Sequence, residues 1–462
     1  MANRPMRPTQ NTILIIAPYW RHAGHVGHYR VDRYARWLSQ AGYNVVIVRA
    51  GSTDAVETTS LGHELTIRDP LGLYRDTDAQ TTTNTRRKPN RYRRLLAYLM
   101  FNPDPTIAWV RRVVTHPLVE EYGRGAACVL SSSPPESIHL ASSRIAERLG
   151  TRLCIDLRDG WLDEPHKPLL QKYRLQRWRE GRLERRVFAQ ADKIVVTSPV
   201  WNELLGTRLP FTRDKTVVVT NAYPLAGSDT SGVNPRDAVK DDAATARHRG
   251  RSGVAVTAEN PDPLDPDETR AIHLVHAGRF TSSSNARAPR HLLGLLSSAT
   301  EQYKSGGTIT LLGDLNRDDL RDVDRWKTPL RRTGWALQCE PAVTRKQTLE
   351  ILRQADGLLL LSVLRGVIPL KLFEYIHAKK PILAVTQKAG AVWRVADDVP
   401  QMFLADYRTP AESIAVVKRF LEACTTGEYE AHTPDVYSED HLRNIFMNEV
   451  MTVCDAPVGP QH

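Results

Sequence analysis

Two series of short apolar runs, separated by a stretch with no apolar periodicity, limit what this chain can fold into more than any other feature. The first series opens with residues 12–17 (TILIIA) and breaks at Pro18. A loop containing Gly24 and Gly27 follows, then residues 31–41 with apolar positions at helical spacing, a turn at Gly42 and a second run at 45–48. Continuous apolar runs of this length suit strands buried on both faces of a parallel sheet, so the segment predicts a βαβ unit. Further runs end at Leu130, Ile155 and Val196, each flanked by helix-length segments. The second series has runs at 272–277, 308–312, 357–361 and 381–385, alternating with helical patterns at 289–303, 346–355 and 370–378. Such alternation predicts an open parallel sheet with helices on both faces, built twice.

Between the two series, residues 225–268 are rich in Asp, Pro, Gly, Ser and Arg. A stretch of that composition cannot bury enough apolar surface to order itself, and it is expected to be a disordered interdomain insertion. The predicted organisation is a first doubly wound domain over 1–224, the insertion over 225–268, and a second doubly wound domain over 269–435. A C-terminal helix and tail follow over 436–462, with the freedom to pack back on the first domain. Length agrees, because 462 residues exceed what one core usually organises and suggest two domains of roughly 200 residues each. Two such sheets would face each other across a ligand cleft at the carboxyl ends of their strands.

Composition excludes several classes. Hydrophobic residues at 41% and charged residues at 25% suit a globular protein. No apolar run is long enough to span a bilayer, and residues 1–10 lack the apolar stretch of a secretory signal, so a cytoplasmic location is expected. Cys128, Cys154, Cys339, Cys424 and Cys454 are scattered and odd in number, which reads as reduced thiols. The cysteines and histidines provide no convincing metal-ligand pair, so neither a metal nor a cofactor is expected, and His22, His25 and His28 read as solvated loop residues. The net charge of +11 is uneven: residues 1–224 carry 34 Lys and Arg against 21 Asp and Glu, or +13, which leaves −2 for the remainder. Charge alone does not choose among nucleic acid, anionic lipid and phosphorylated substrates. No groove-reading module accompanies it, so nucleic acid is not an expected partner. No Gly-x-Gly-x-x-Gly follows either first strand, which disfavours a dinucleotide dehydrogenase.

The most informative segment is 366–385 (GVIPLKLFEYIHAKKPILAV), a loop running into a helix and then a strand. Pro369 suits a helix start, and the free N–H groups that Leu370 opens there can hold a diphosphate. Lys371 would add positive charge, and the Glu374 carboxylate can accept two hydroxyl hydrogen bonds of the kind a ribose offers. On an arbitrary helix these residues would be a solvated lysine and a carboxylate that favours the helix start. Arg279, after Gly278 at a strand end, could grip phosphate oxygens in a bidentate fork or be a surface charge. Past the apolar run that ends at Ile155, Asp159 is a candidate to accept or polarise a hydroxyl proton. Asp156 and Arg158 read as a structural ion pair fixing that loop. Gly24 and Gly27 would allow close backbone approach to a ligand.

The segment 366–385 resembles the donor-site signature of GT-B glycosyltransferases of family 4 and their relatives, where a Lys-Leu-Phe-Glu-Tyr helix precedes a Lys-Pro-Ile-Leu-Ala strand. Further phrases match in order: Pro103-Asp104-Pro105 with Trp109, Ser132-Ser133-Pro134-Pro135-Glu136-Ser137, and Asp156-Leu157-Arg158-Asp159-Gly160-Trp161. Leu183-Glu184-Arg185 with residues 191–198 (ADKIVVTS), Asn221-Ala222-Tyr223, and His276-Ala277-Gly278-Arg279-Phe280 continue the match. Apart from the insertion and the termini, the resemblance covers nearly the whole chain. It implies the GT-B fold, two Rossmann-like domains facing each other across a cleft, and hexosyl transfer from a nucleotide-sugar donor to a hydroxyl acceptor with retention. Cell-envelope polysaccharide or glycolipid assembly would be the setting. Gly24, Gly27, Gly278, Arg279, Arg287, Leu370, Lys371 and Glu374 are implied to hold the donor. Asp159, Arg279 and Lys371 are implied to carry the reaction, with the cations replacing a metal at the diphosphate.

Two departures stand out. Gly366 occupies the place of the first acid in the family's Glu-x7-Glu pattern, and the usual second basic residue after Arg279 is missing, leaving Arg287 or Arg290 to replace it. A nucleotide-sugar 2-epimerase and a non-catalytic nucleotide-binding subunit are the alternatives on the same architecture. Finally, Arg86, Arg87, Lys88, Arg91, Arg93 and Arg94 directly precede residues 95–101 (LLAYLMF). That pairing suits either an anionic membrane surface, on the inner face of the plasma membrane and with a lipid-linked or saccharide acceptor, or a solvated linker before a core helix.

Overall fold

The run TILII becomes β1 (Thr12–Ile16), buried along its whole length because strands lie on both sides of it. Parallel neighbours are β2 (Asn44–Gly51), joined through helix His28–Gln40, and β5 (Cys128–Ser133). The computed structural model describes residues 11–22, 27–74, 101–163, 173–222, 271–280, 288–303 and 306–454. The chain divides into two compact units, Met1–Asn221 with Asp440–His462, and Ala222–Glu439.

In the first unit β3 (Ala55–Thr59) and β4 (Gly62–Arg68) form a hairpin, and β6 (Arg152–Leu157), β7 (Lys193–Val196) and β8 (Thr216–Val218) extend the other side. The sheet order is β3-β4-β2-β1-β5-β6-β7-β8, parallel except for the antiparallel β3–β4 pair. The order reverses between β1 and β5, where doubly wound sheets open a crevice beyond the strand ends. Helix Ser137–Leu149 packs on β5 and β6, and Asp104 accepts from its first backbone N–H at 2.9 Å and from the Ser137 hydroxyl at 2.7 Å. The Pro-Asp-Pro phrase is thus a cap for that helix. Helix Glu439–Ile445 and the turns after it complete this unit: Phe446 is fully buried, stacked on Tyr34 at 4.3 Å between centroids and tilted against Trp37 at 5.8 Å.

The second unit holds β9 (Ile272–Ala277), β10 (Gly307–Leu312), β11 (Trp335–Glu340), β12 (Gly357–Ser362), β13 (Ile382–Thr386) and β14 (Met402–Asp406). They lie in the order β11-β10-β9-β12-β13-β14, all parallel. This is the Rossmann order, with its switch point between β9 and β12. Helices Arg290–Thr300, Arg317–Arg332 and Pro410–Thr426 cover the sheet around Leu274, Leu292, Leu296, Leu359 and Phe420.

The β3–β4 hairpin, β11, β14 and helix Arg317–Arg332 were not legible as apolar runs. Each lies at a sheet edge or a charged surface, where one exposed side removes the continuous apolar signal; β11 buries only Trp335 fully. The segments 225–268, 86–94 and the residues Gly24, His25 and Arg287 lie outside the described residues. His22 is not the solvated loop residue its sequence context suggested: it is buried, with Nε2 at 3.0 Å from the Ala50 carbonyl oxygen. Among the described residues all five cysteines are free thiols, and no helix is long and apolar enough to cross a membrane.

Candidate functional site

In the second unit, the candidate residues gather where β9 ends and helix Leu370–His377 begins. Pro369 precedes that helix in an extended conformation, and Leu370 at its first position is half-buried. One turn of the helix aims Lys371 back at β9: its ammonium donates to the Ala277 carbonyl at 2.9 Å and lies 3.2 Å from His276 Nε2. His276 is buried and stacked on Phe280 at 4.1 Å, and its Nδ1 is 2.8 Å from the Leu359 carbonyl oxygen. A carbonyl can only accept, so the ring proton sits on Nδ1 and the Nε2 lone pair is left to accept from Lys371. A helix-start lysine is thereby held over the loop that follows β9.

Tyr375 secures the same corner. Its hydroxyl accepts from the Ala277 N–H at 2.8 Å and donates to the Leu359 carbonyl at 3.4 Å, which ties the helix to β9 and β12. Gly278 then takes φ +108°, a backbone that side chains disfavour, and a Cβ there would lie 3.4 Å from the Lys371 ammonium. Arg279 comes next, 63% exposed and only loosely paired with Asp314 at 3.8 Å. Glu374, mostly buried, accepts from Arg345 Nε at 3.2 Å. Burial pushes its carboxyl above the usual glutamate range, while the Arg345 and Lys371 charges pull it back only in part. The corner therefore brings together Gly278, Lys371 and Glu374, with Arg279 on the adjoining loop. Sequence reasoning quoted His276 and Tyr375 within motifs but gave them no role, and it missed Arg345; the histidine three residues before Arg279 was the one available signal.

In the first unit, Asp156 does not pair with Arg158 as its sequence neighbourhood suggested. It faces helix His28–Gln40, where Arg30 approaches it with Nε at 2.9 Å and Nη2 at 2.7 Å, Tyr34 donates at 3.0 Å and Ser132 at 2.6 Å. Burial alone would raise the Asp156 pKa, but the Arg30 charge and these donors outweigh it and hold the carboxyl below the ordinary aspartate range. Arg30 also donates to the carbonyls of Val219 at 2.8 Å and Thr220 at 3.1 Å, so the same group fixes the last residues of this unit before the chain enters the other.

Arg158 lies past the end of β6, where carbonyls replace carboxylates as its partners. It donates to Ser133 at 2.9 Å and Pro134 at 2.7 Å, and its guanidinium stands 4.7 Å from the Tyr19 ring centroid. A Cβ on Gly27 would come within 1.5 Å of that guanidinium, so Gly27 serves Arg158 by leaving it room. Asp159 follows and lines a small recess with Gly160, Trp161, Trp201, Glu184 and Arg208. Asp159 and the corner around Lys371 belong to different units.

The profile of the glycosyl transferase 4-like domain matches residues 27–222. The chain carries a glycosyl transferase 4-like domain over that stretch, within a GT-B fold. Solved structures agree with the fold along nearly the whole chain. The Anabaena protein HepE, solved with UDP-glucose, is 12% identical with a TM-score of 0.54, covering 96% of this chain and 100% of its own. The trehalose-6-phosphate structure from E. coli, bound with UDP-2-fluoro glucose, is 12% identical with a TM-score of 0.56 over 96% and 99%. The catalytic domain of starch synthase IV from Arabidopsis thaliana, bound to ADP and acarbose, is 11% identical with a TM-score of 0.53 over 96% and 99%. No curated protein sequence matches the chain.

Proposed function

We propose that the protein is a GT-B glycosyltransferase of the family 4-like type that takes its sugar from a nucleotide-sugar donor, holds the donor at the β9 corner of the second unit, and passes the sugar to a hydroxyl acceptor with retention. The supporting observation is the Lys371 ammonium fixed by His276 and the Ala277 carbonyl beside Gly278, at the start of the helix that carries Glu374. A fixed cation, a helix start and the exposed Arg279 suit a diphosphate whose leaving charge must be stabilised, and Glu374 suits ribose hydroxyls. In this reading no metal takes part, since the cations neutralise the leaving nucleotide. HepE and the E. coli protein, each solved with a UDP sugar, support a donor of that class.

Asp159 is proposed to accept or polarise the acceptor proton, with Trp161 and Trp201 near it in the recess. We place the reaction in cell-envelope polysaccharide or glycolipid assembly on the cytoplasmic side, with a lipid-linked or saccharide acceptor. The test is a screen of nucleotide sugars for thermal stabilisation and donor hydrolysis, followed by product analysis. Stabilisation by one nucleotide sugar and release of its nucleotide would support the reading. Asp159→Asn should then lower turnover more than donor affinity; a pure loss of donor affinity would move Asp159 out of its role. Release of free nucleotide with an epimerised sugar and no acceptor would overturn transfer.

A further inference from the structure

The first three turns of helix Arg174–Gln190 in the first unit reverse the usual amphipathic pattern, whereas its last turn buries Val187 and Phe188. Its acids and an amide point inward: Glu180 is 0% and Glu184 1% exposed, and Gln176 is buried with them. Each has partners there. Glu180 accepts from Trp161 Nε1 at 3.2 Å and from Gln176 at 3.1 Å, and Glu184 is gripped by Arg208 and accepts from the Leu162 N–H at 3.4 Å. Over the same turns Leu175 and Trp178 point outward, at 64% and 57% exposure. All the arginines of the helix are left on the exposed or half-exposed surface, and no acid of the helix remains there to offset them.

Helical spacing collects these groups. At about 100° per residue, Arg174, Leu175, Trp178, Arg182, Arg185 and Arg186 fall within about 120° of arc. Arg182 lies over the Trp178 ring at 5.0 Å, and Arg185 reaches the exposed Phe211 ring at 5.9 Å, which continues the face beyond the helix. Exposed single apolar residues are ordinary, but an exposed Leu and Trp within one turn, framed by cations on a helix that buries its own acids, need a partner that is anionic and apolar at once. We propose that this face docks on an anionic lipid bilayer, Leu175 and Trp178 entering the headgroup boundary while the arginines meet phosphates. The indole suits that boundary because it carries an apolar ring and an N–H, and Leu175 decides against nucleic acid, whose grooves and phosphates offer an isolated aliphatic chain little. The inference rests on the helix alone and stands whether or not the β9 corner binds a nucleotide sugar.

The test uses the full chain and vesicles of phosphatidylcholine with or without one quarter phosphatidylglycerol. Wild-type protein should sediment with the anionic vesicles at low salt, stay in solution with pure phosphatidylcholine, and be released as salt is raised. Arg174→Gln, Arg182→Gln and Arg186→Gln together should lower the partition coefficient about a hundredfold, at about fivefold per charge. Brominated acyl chains should quench part of the wild-type tryptophan fluorescence, and the quenched part should disappear in Trp178→Phe. Circular dichroism and nucleotide-sugar binding of the same variants should match wild type, which separates this proposal from the donor assignment. No sedimentation at low salt, equal sedimentation of the triple variant, or charge-dependent capture of a duplex oligonucleotide without vesicle binding would each overturn it.

Discussion

Removing the carboxylate of Asp156 should be among the most damaging single changes in the first unit. Asp156 is 0% and Arg30 3% exposed, and the bidentate contact is reinforced by Ser132 and Tyr34. A buried guanidinium that loses its carboxylate keeps its desolvation penalty, so Asp156→Asn or Arg30→Met should each cost about 3–5 kcal/mol. Replacing both, Arg30→Met with Asp156→Leu, removes the stranded charge. What remains is the loss to Ser132, Tyr34 and the Val219 and Thr220 carbonyls, so the double variant should cost far less than the two singles added. The two units need not unfold together, so urea unfolding is best followed by hydrogen exchange on peptides from β6 and residues 216–221. The pH dependence has a fixed sign. The folded pKa of Asp156 lies below its unfolded value, so its contribution is present above the ordinary aspartate pKa and is lost as pH falls through the folded value. The gap between wild type and Asp156→Asn should therefore close only in acid. Single variants that lose under about 1 kcal/mol, or a double variant equal to the sum of the singles, would refute the reasoning.

Further expectations concern the donor corner. Glu374 has its carboxyl raised chiefly by burial, and only its ionised form accepts two hydroxyls, so donor affinity should fall as pH drops through that raised value, sooner than for an ordinary glutamate. Titration calorimetry across pH would check this, and an affinity equally pH-independent in wild type and Glu374→Gln would count against it. Lys371→Met should lower turnover by at least about tenfold with little change in the unfolding midpoint, the scale of one lost charge-assisted hydrogen bond. His276→Phe should give a smaller loss of the same kind, because Lys371 keeps the Ala277 carbonyl; wild-type turnover in Lys371→Met would remove it from the site.

The inner strands were legible because burial on both faces leaves an unbroken apolar word, as in TILII at 12–16 and GLLLL at 357–361. The edges were not: β11 is exposed or half-exposed at every position after Trp335, and helix Arg317–Arg332 buries Asp319 and Asp322 along with Val323 and Leu330, so its charged sequence hides its inner face. The candidate site was half legible. Lys371, Glu374 and Gly278 could be named from the order of words in the chain, since one loop, one turn and one helix carry them. The partner of Asp156 could not, because Arg30 is 126 residues away and only the folded unit brings the two together. His276 was given no role for a related reason: the Leu359 carbonyl fixes which nitrogen keeps the proton, and β12 supplies it from 83 residues on.

The return of residues 440–454 to the first unit has a consequence for biosynthesis. Tyr34 and Trp37 are translated near the start of the chain, but Phe446, which covers them, leaves the ribosome only after the whole second unit. Throughout that interval the first unit carries an unsealed aromatic face, and a nascent chain of this kind is a client for a chaperone that holds apolar surface. Completion of the earlier unit becomes a checkpoint on the later one: a polypeptide cut short anywhere before Phe446 leaves the aromatic pair uncovered and open to proteolytic quality control.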